Sequence, residues 1–271
     1  MRRIVTQTGL PVRRALVSGF STQYYWTFPE YSVIAVPAAE GESLLGLADL
    51  CHELGHILMN THETSLLGNF PAILAAHVTG EEARMISEQR PPKYIADYLA
   101  LFRHWDEDWI LEFACDMVGT YLAGPAFGFQ HVRLCAGWAE NAYYPTLGQA
   151  AEHPADFARL EGIAAVIEML SDPAGAEAVR EMWSRYTSVQ GDVEPADYAT
   201  CYPMALIREL AQVVVAGCRT LSIKSYQEAA ATDIIGVMID AWDHFRADPD
   251  GHGAYEDAAL RELIDELSSS R

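Results

Sequence analysis

The stretch Cys51-His52-Glu53-Leu54-Gly55-His56 sets two imidazoles four residues apart. On a helix, positions i and i+4 share one face a turn apart, so both rings can reach a single metal ion. Glu53 follows the first histidine directly. There its carboxylate can take a proton from an attacking water without binding the ion itself, and can later pass it to a departing amine. This is the His-Glu-x-x-His zinc signature, and the alternative is two structural histidines on a packed helix. From Glu42 to about Asn60 the residues Leu44, Leu45, Leu47, Leu50, Leu54, Ile57 and Leu58 recur at helical spacing, with Ser43 as the expected N-cap.

A catalytic zinc takes three protein ligands and keeps one position open, so a third donor is required. Two residues compete. Glu112, within Trp109-Ile-Leu-Glu-Phe-Ala-Cys-Asp116, stands four residues before Asp116 on one face of an apolar helix. Glu112 can bind the ion while Asp116 holds a ligand imidazole from behind. His62 lies six residues after His56, the spacing of a longer zinc motif that places a glycine where this chain has Met59. The sharp turn made by that glycine costs a side-chain-bearing residue about 1–2 kcal/mol, although Asn60 next door tolerates the left-handed conformation better than most. Glu112 leads, and His62 stays open as its rival.

With both segments in view, the chain resembles the gluzincin metallopeptidases, which pair His-Glu-x-x-His on one helix with Glu-x-x-x-Asp on a later one. The stretch Glu112-Phe-Ala-Cys-Asp-Met-Val-Gly-Thr-Tyr-Leu-Ala-Gly-Pro-Ala126 is also similar to small bacterial proteins, mostly inferred peptidases, whose Glu-x-x-x-Asp helix ends in Gly-Pro-Ala. His153-Pro154-Ala-Asp-Phe-Ala-Arg159 resembles the His-Pro…Arg element that follows the third ligand in related peptidases. The likeness spans roughly residues 31–160. It implies a zincin-like core, zinc (Zn2+) held by His52, His56 and Glu112, Glu53 as general base, Asp116 behind a ligand histidine, and a peptide or protein substrate.

Amide hydrolysis also needs a donor for the oxyanion. His153 and Tyr144 are the candidates placed in the site, and Tyr143 and Arg159 lie in the same region. The remaining features read as structure. Cys51 and Cys115 are small buried hydrophobes, and His77, His104, His131 and His244 are surface or hydrogen-bonded core residues lacking ligand spacing to one another. Asp248-Pro-Asp-Gly-His252 opens like a calcium loop, but Ala259 stands where the loop needs glutamate, so a turn is expected. Tyr24-Tyr25-Trp26 is expected to pack rather than to line a groove.

The elements that must position this chemistry are mainly helical, an α+β chain with a small sheet. Tyr31–Pro37 reads as a short strand at a sheet edge, beside which an extended peptide could add. Helices are expected from about Thr79, from Lys93 to Leu122 with a corner near Trp105-Asp106, and near 155–170, 174–187, 203–221, 226–246 and 256–268, with Gly124-Pro125 as a stop. The expected organisation is a catalytic core over 1–160 and a helical C-terminal subdomain over 161–271, which could pack as one domain with the core and offer a surface to a regulatory partner.

Composition sets the outer bounds. The chain has 271 residues, 50% of them hydrophobic, with 18 Lys plus Arg against 38 Asp plus Glu and a net charge of −20. That charge repels phosphate backbones and anionic lipid, so neither nucleic acid nor membrane is expected as a partner. No stretch reaches the roughly 20 uncharged apolar residues of a membrane span. Five cysteines without a CxxC pair suit a reducing compartment, and a cytoplasmic zinc metallopeptidase is the resulting expectation. Its rivals are a regulatory zinc-binding module without turnover and a zinc hydrolase of a non-peptide amide.

Overall fold

A computed structural model describes residues 1–12, 15–21, 25–38, 43–138 and 140–269. Tyr24 of the aromatic run, Glu42 at the expected helix start, and Arg13 and Arg14 lie outside the described residues. The protein is mainly helical with one small sheet. A short helix α1 (Arg2–Thr8) leads into strands β1 (Leu16–Ser21), β2 (Trp26–Phe28) and β3 (Val33–Pro37). Then come α2 (Leu47–Leu67), α3 (Phe70–Ser87), α4 (Pro92–His104), α5 (Ile110–Ala123) and α6 (Pro125–Trp138). The remaining helices are α7 (Asp156–Met169), α8 (Pro173–Gln190), α9 (Tyr198–Cys201), α10 (Met204–Thr220), α11 (Ile234–Ala247) and α12 (His252–Ser269).

The expected corner at Trp105 is a π-helical segment, Trp105–Trp109, between α4 and α5. Its two indoles are fully buried and donate to the Cys201 and Ala151 carbonyls, so the extra residue of the wide turn is accommodated by aromatic packing and satisfied N–H groups. Gly124 stops α5 as expected, with φ 59° and ψ −141°. Pro125 then starts α6 at once, because proline at a first helical position loses no hydrogen bond. The expected 226–246 helix is instead a single 3-10 turn at Tyr226–Glu228, closed by a Ser225/Glu228 capping box, followed later by α11.

The strand order is β1-β3-β2, with β1 parallel and β2 antiparallel to β3. The 31–37 strand is therefore central, not an edge. Pro37 closes it at its last position, where a missing N–H is tolerated even inside a sheet. The edge beside the helices is β2, which packs on α2. Trp26 and Phe28 point outward at 61% and 53% exposure, so Trp26 does not pack as expected; the Tyr25 hydroxyl does, donating to the Gly46 carbonyl at 3.2 Å.

Ser43 does not cap α2. The helix starts at Leu47, and the segment before it is held by other elements. Glu256 of α12 accepts from the Leu44 amide at 2.5 Å and from the Ser43 hydroxyl at 3.4 Å, while Trp242 of α11 donates to the Leu45 carbonyl at 3.3 Å. The 160/161 boundary falls inside α7, and one buried apolar cluster runs from Ile4 to Trp242. Among the described residues, one stretch, Tyr198–Thr220, is long and apolar enough to cross a membrane by length and composition, but 56% of its window is buried in the protein.

Candidate metal centre and active site

The centre forms where α2 and α5 cross, and glycine sets how closely they cross. A Cβ built on Gly55 would lie 2.9 Å from Cys115 Cα and 3.2 Å from its carbonyl oxygen. One on Gly119 would lie 3.2 Å from the His52 amide nitrogen. In an open helix, alanine is favoured over glycine by about 1 kcal/mol, whereas forcing a methyl against unyielding backbone costs about 1–3 kcal/mol. Gly55→Ala is therefore expected to lower the thermal unfolding midpoint. A raised midpoint would show that the helices do not approach this closely.

This crossing brings His52, His56 and Glu112 together, with one donor atom of each within 4.8 Å of the others. The two Nε2 atoms lie 3.1 Å apart, and the Glu112 oxygens stand 3.7 Å from His52 Nε2 and 3.5 Å from His56 Nε2. A tetrahedral ion with bonds of about 2.0–2.1 Å has donor–donor edges of about 3.3–3.5 Å, so the trio is spaced to hold one small metal ion. His52 Nδ1 meets Asp116 Oδ1 at 2.9 Å, so the neutral ring with its proton on Nδ1 would turn an Nε2 lone pair towards the other two donors. Phe127 stacks parallel to the His52 ring at 6.3 Å.

Asp116 is nearly fully buried and takes a two-pronged contact from Arg159, with Nε at 2.7 Å and Nη2 at 2.8 Å. Burial would raise the Asp116 pKa, but Arg159 and then His52 hold it well below the usual carboxylate range. Burial likewise opposes a charge on His52, yet the bond to Asp116 together with the charges of Asp116, Glu112 and Glu53 outweighs it and lifts that imidazole to about 9. Burial and then the neighbouring His52 push His56 down to about 4, since two rings this close cannot both be cations. Burial works to raise Glu112, but its contact with His153, followed by the charge on His52, brings it down to about 2. The result is a compact set of anionic and imidazole donors that favours a divalent cation.

Glu53 is buried beside the trio and belongs to no ligand set, and burial raises its pKa. The Thr27 hydroxyl of β2 donates to its Oε2, so the edge strand touches the expected base directly. His153 lies at the rim with 61% of its side chain exposed and Nδ1 3.3 Å from Glu112 Oε2. Tyr144 is not brought to the cluster; its hydroxyl donates to the Ala150 carbonyl at 3.1 Å. Arg159 is committed to Asp116, so its guanidinium serves the ligand histidine rather than an oxyanion. His62 is not among the grouped donors, because α2 continues to Leu67 with only a local distortion at His62 (φ −132°, ψ 21°) instead of turning back.

Sequence reasoning missed Thr27. The alternation Trp26-Thr27-Phe28 was the available signal, one polar residue between two aromatics in a short strand. Comparison of the chain with protein-family models, with curated proteins and with solved structures finds no match in any of the three.

Proposed function

We propose that the chain is a zinc-dependent peptidase of the gluzincin type. The observation that carries this reading is the convergence of His52, His56 and Glu112 at metal-ligand spacing, with Asp116 behind His52 and Glu53 alongside, outside the ligand group. Zinc bound there would polarise a scissile carbonyl and acidify a water. Glu53 takes the proton of the attacking water and returns it to the leaving amine, and burial tunes it for that exchange by raising its pKa. Thr27 orients the Glu53 carboxylate. His153, exposed at the rim, donates to the developing negative oxygen, a role for which Tyr144 is not positioned.

A peptide is favoured as substrate because β2 pairs with β3 on one side only, leaving its other edge without a strand partner among the described residues. An extended chain can add there, next to Glu53. Five free, buried cysteines agree with action in a reducing compartment such as the cytoplasm.

The test is hydrolysis of a peptide library, followed by mass spectrometry, with protein stripped by chelator and then reloaded with zinc. Cleavage that vanishes on stripping and returns with zinc is expected. A reloaded protein that leaves every peptide intact would overturn the proposal.

A further inference from the structure

A second set of metal-type donors lies away from this centre. His131 and Cys135 stand four residues apart on α6, and Asp156 opens α7. One ligand atom from each of the three falls within 4.8 Å of the others. His131 and Cys135 are each only 4% exposed. Their Nε2 and Sγ atoms are 3.7 Å apart, and the Asp156 main-chain carbonyl oxygen is 3.0 Å from the same Nε2.

We propose that His131, Cys135 and Asp156 form a second, structural metal site for a thiophilic divalent cation such as zinc. The arrangement repeats the logic of the first centre, with an i, i+4 donor pair on one helix and a carboxylate from another. A tetrahedral zinc with bonds of about 2.3 Å to sulfur and 2.0 Å to nitrogen has an S···N edge of about 3.5 Å, close to the spacing found. The Asp156 carbonyl completes a fourth position, so the site is closed and keeps no place for a reacting water.

Charge balance favours it. Coordination releases the Cys135 thiol proton to solvent and moves the His131 ring proton to Nδ1, leaving one thiolate and one carboxylate to neutralise a dication in a buried setting. Arg159, whose charge reaches His131, is already paired with Asp116 through two bonds. A metal here would pin the first turn of α7 to α6, and Arg159 emerges from α7 one turn later. The outer site would thus fix the helix whose arginine holds Asp116 against His52.

Cobalt(II) substitution separates the two centres, because only the second contains sulfur. Wild-type protein is expected to take up two equivalents and to show a near-ultraviolet sulfur-to-cobalt charge-transfer band. Cys135→Ser and His131→Gln should each bind one equivalent, with the band gone in Cys135→Ser, while Glu112→Ala keeps it. X-ray absorption on the zinc-loaded wild type needs no variant and should show one sulfur per two zinc ions at about 2.3 Å. A wild type that takes up cobalt without the band, a shell of only nitrogen and oxygen, or a band that survives Cys135→Ser would each overturn the proposal. None of these readouts depends on peptide cleavage.

Discussion

Replacing Glu53 with glutamine is expected to abolish turnover while sparing the metal. The two side chains have the same shape, and the Thr27 hydroxyl can donate to the amide oxygen as it does to the carboxylate. His52, His56 and Glu112 are untouched, so metal content should stay at the wild-type level. What is lost is the group that takes and returns the proton, worth roughly 10²- to 10⁴-fold in rate. The loss should fall on kcat with little change in KM, because glutamine occupies the space of the original residue. A variant that cleaves at the wild-type rate, or that loses metal along with activity, contradicts the role given to Glu53.

Glu112→Ala should act on the other half of the chemistry. It leaves two imidazoles whose nitrogens lie 3.1 Å apart and removes the only carboxylate grouped with them among the described residues. Removing a residue that merely supports a ligand weakens metal binding roughly 10- to 100-fold, and losing a direct ligand should exceed that. Competition against a chromophoric chelator reads the change, and cleavage should disappear with the ion. His62→Ala is the paired control and should bind as the wild type does. The opposite pattern, with Glu112→Ala binding normally and His62→Ala failing, would transfer the third position to His62.

How far each feature was legible follows from the distance over which its cause acts. His52, His56, Glu112 and Asp116 could be read because helical periodicity places i and i+4 together without reference to the rest of the chain. The corner at Trp105 and the stop at Gly124 are equally local. The strand at 31–37 was found, but its place in the sheet was not, because β1 and β2 flank it through pairings that no local pattern records. Arg159 shows the same limit: its partner Asp116 is 43 residues away, and nothing nearby in sequence says that the two meet. Ser43 failed as a cap for a related reason, since Glu256, 213 residues further on, engages its hydroxyl. The His131/Cys135 pair was visible as a spacing but hidden by reading Gly124-Pro125 as a stop, when proline in fact begins the helix that carries both residues.

The grip of Glu256 on the Leu44 amide bears on how the protein comes into being. During synthesis the residues of the metal centre leave the ribosome well before residue 256 exists, so the stretch before α2 lacks this anchor throughout that interval. Helix α12 acts as a keystone: among the described residues it adds no donor to the centre, yet it holds the stretch that leads into α2.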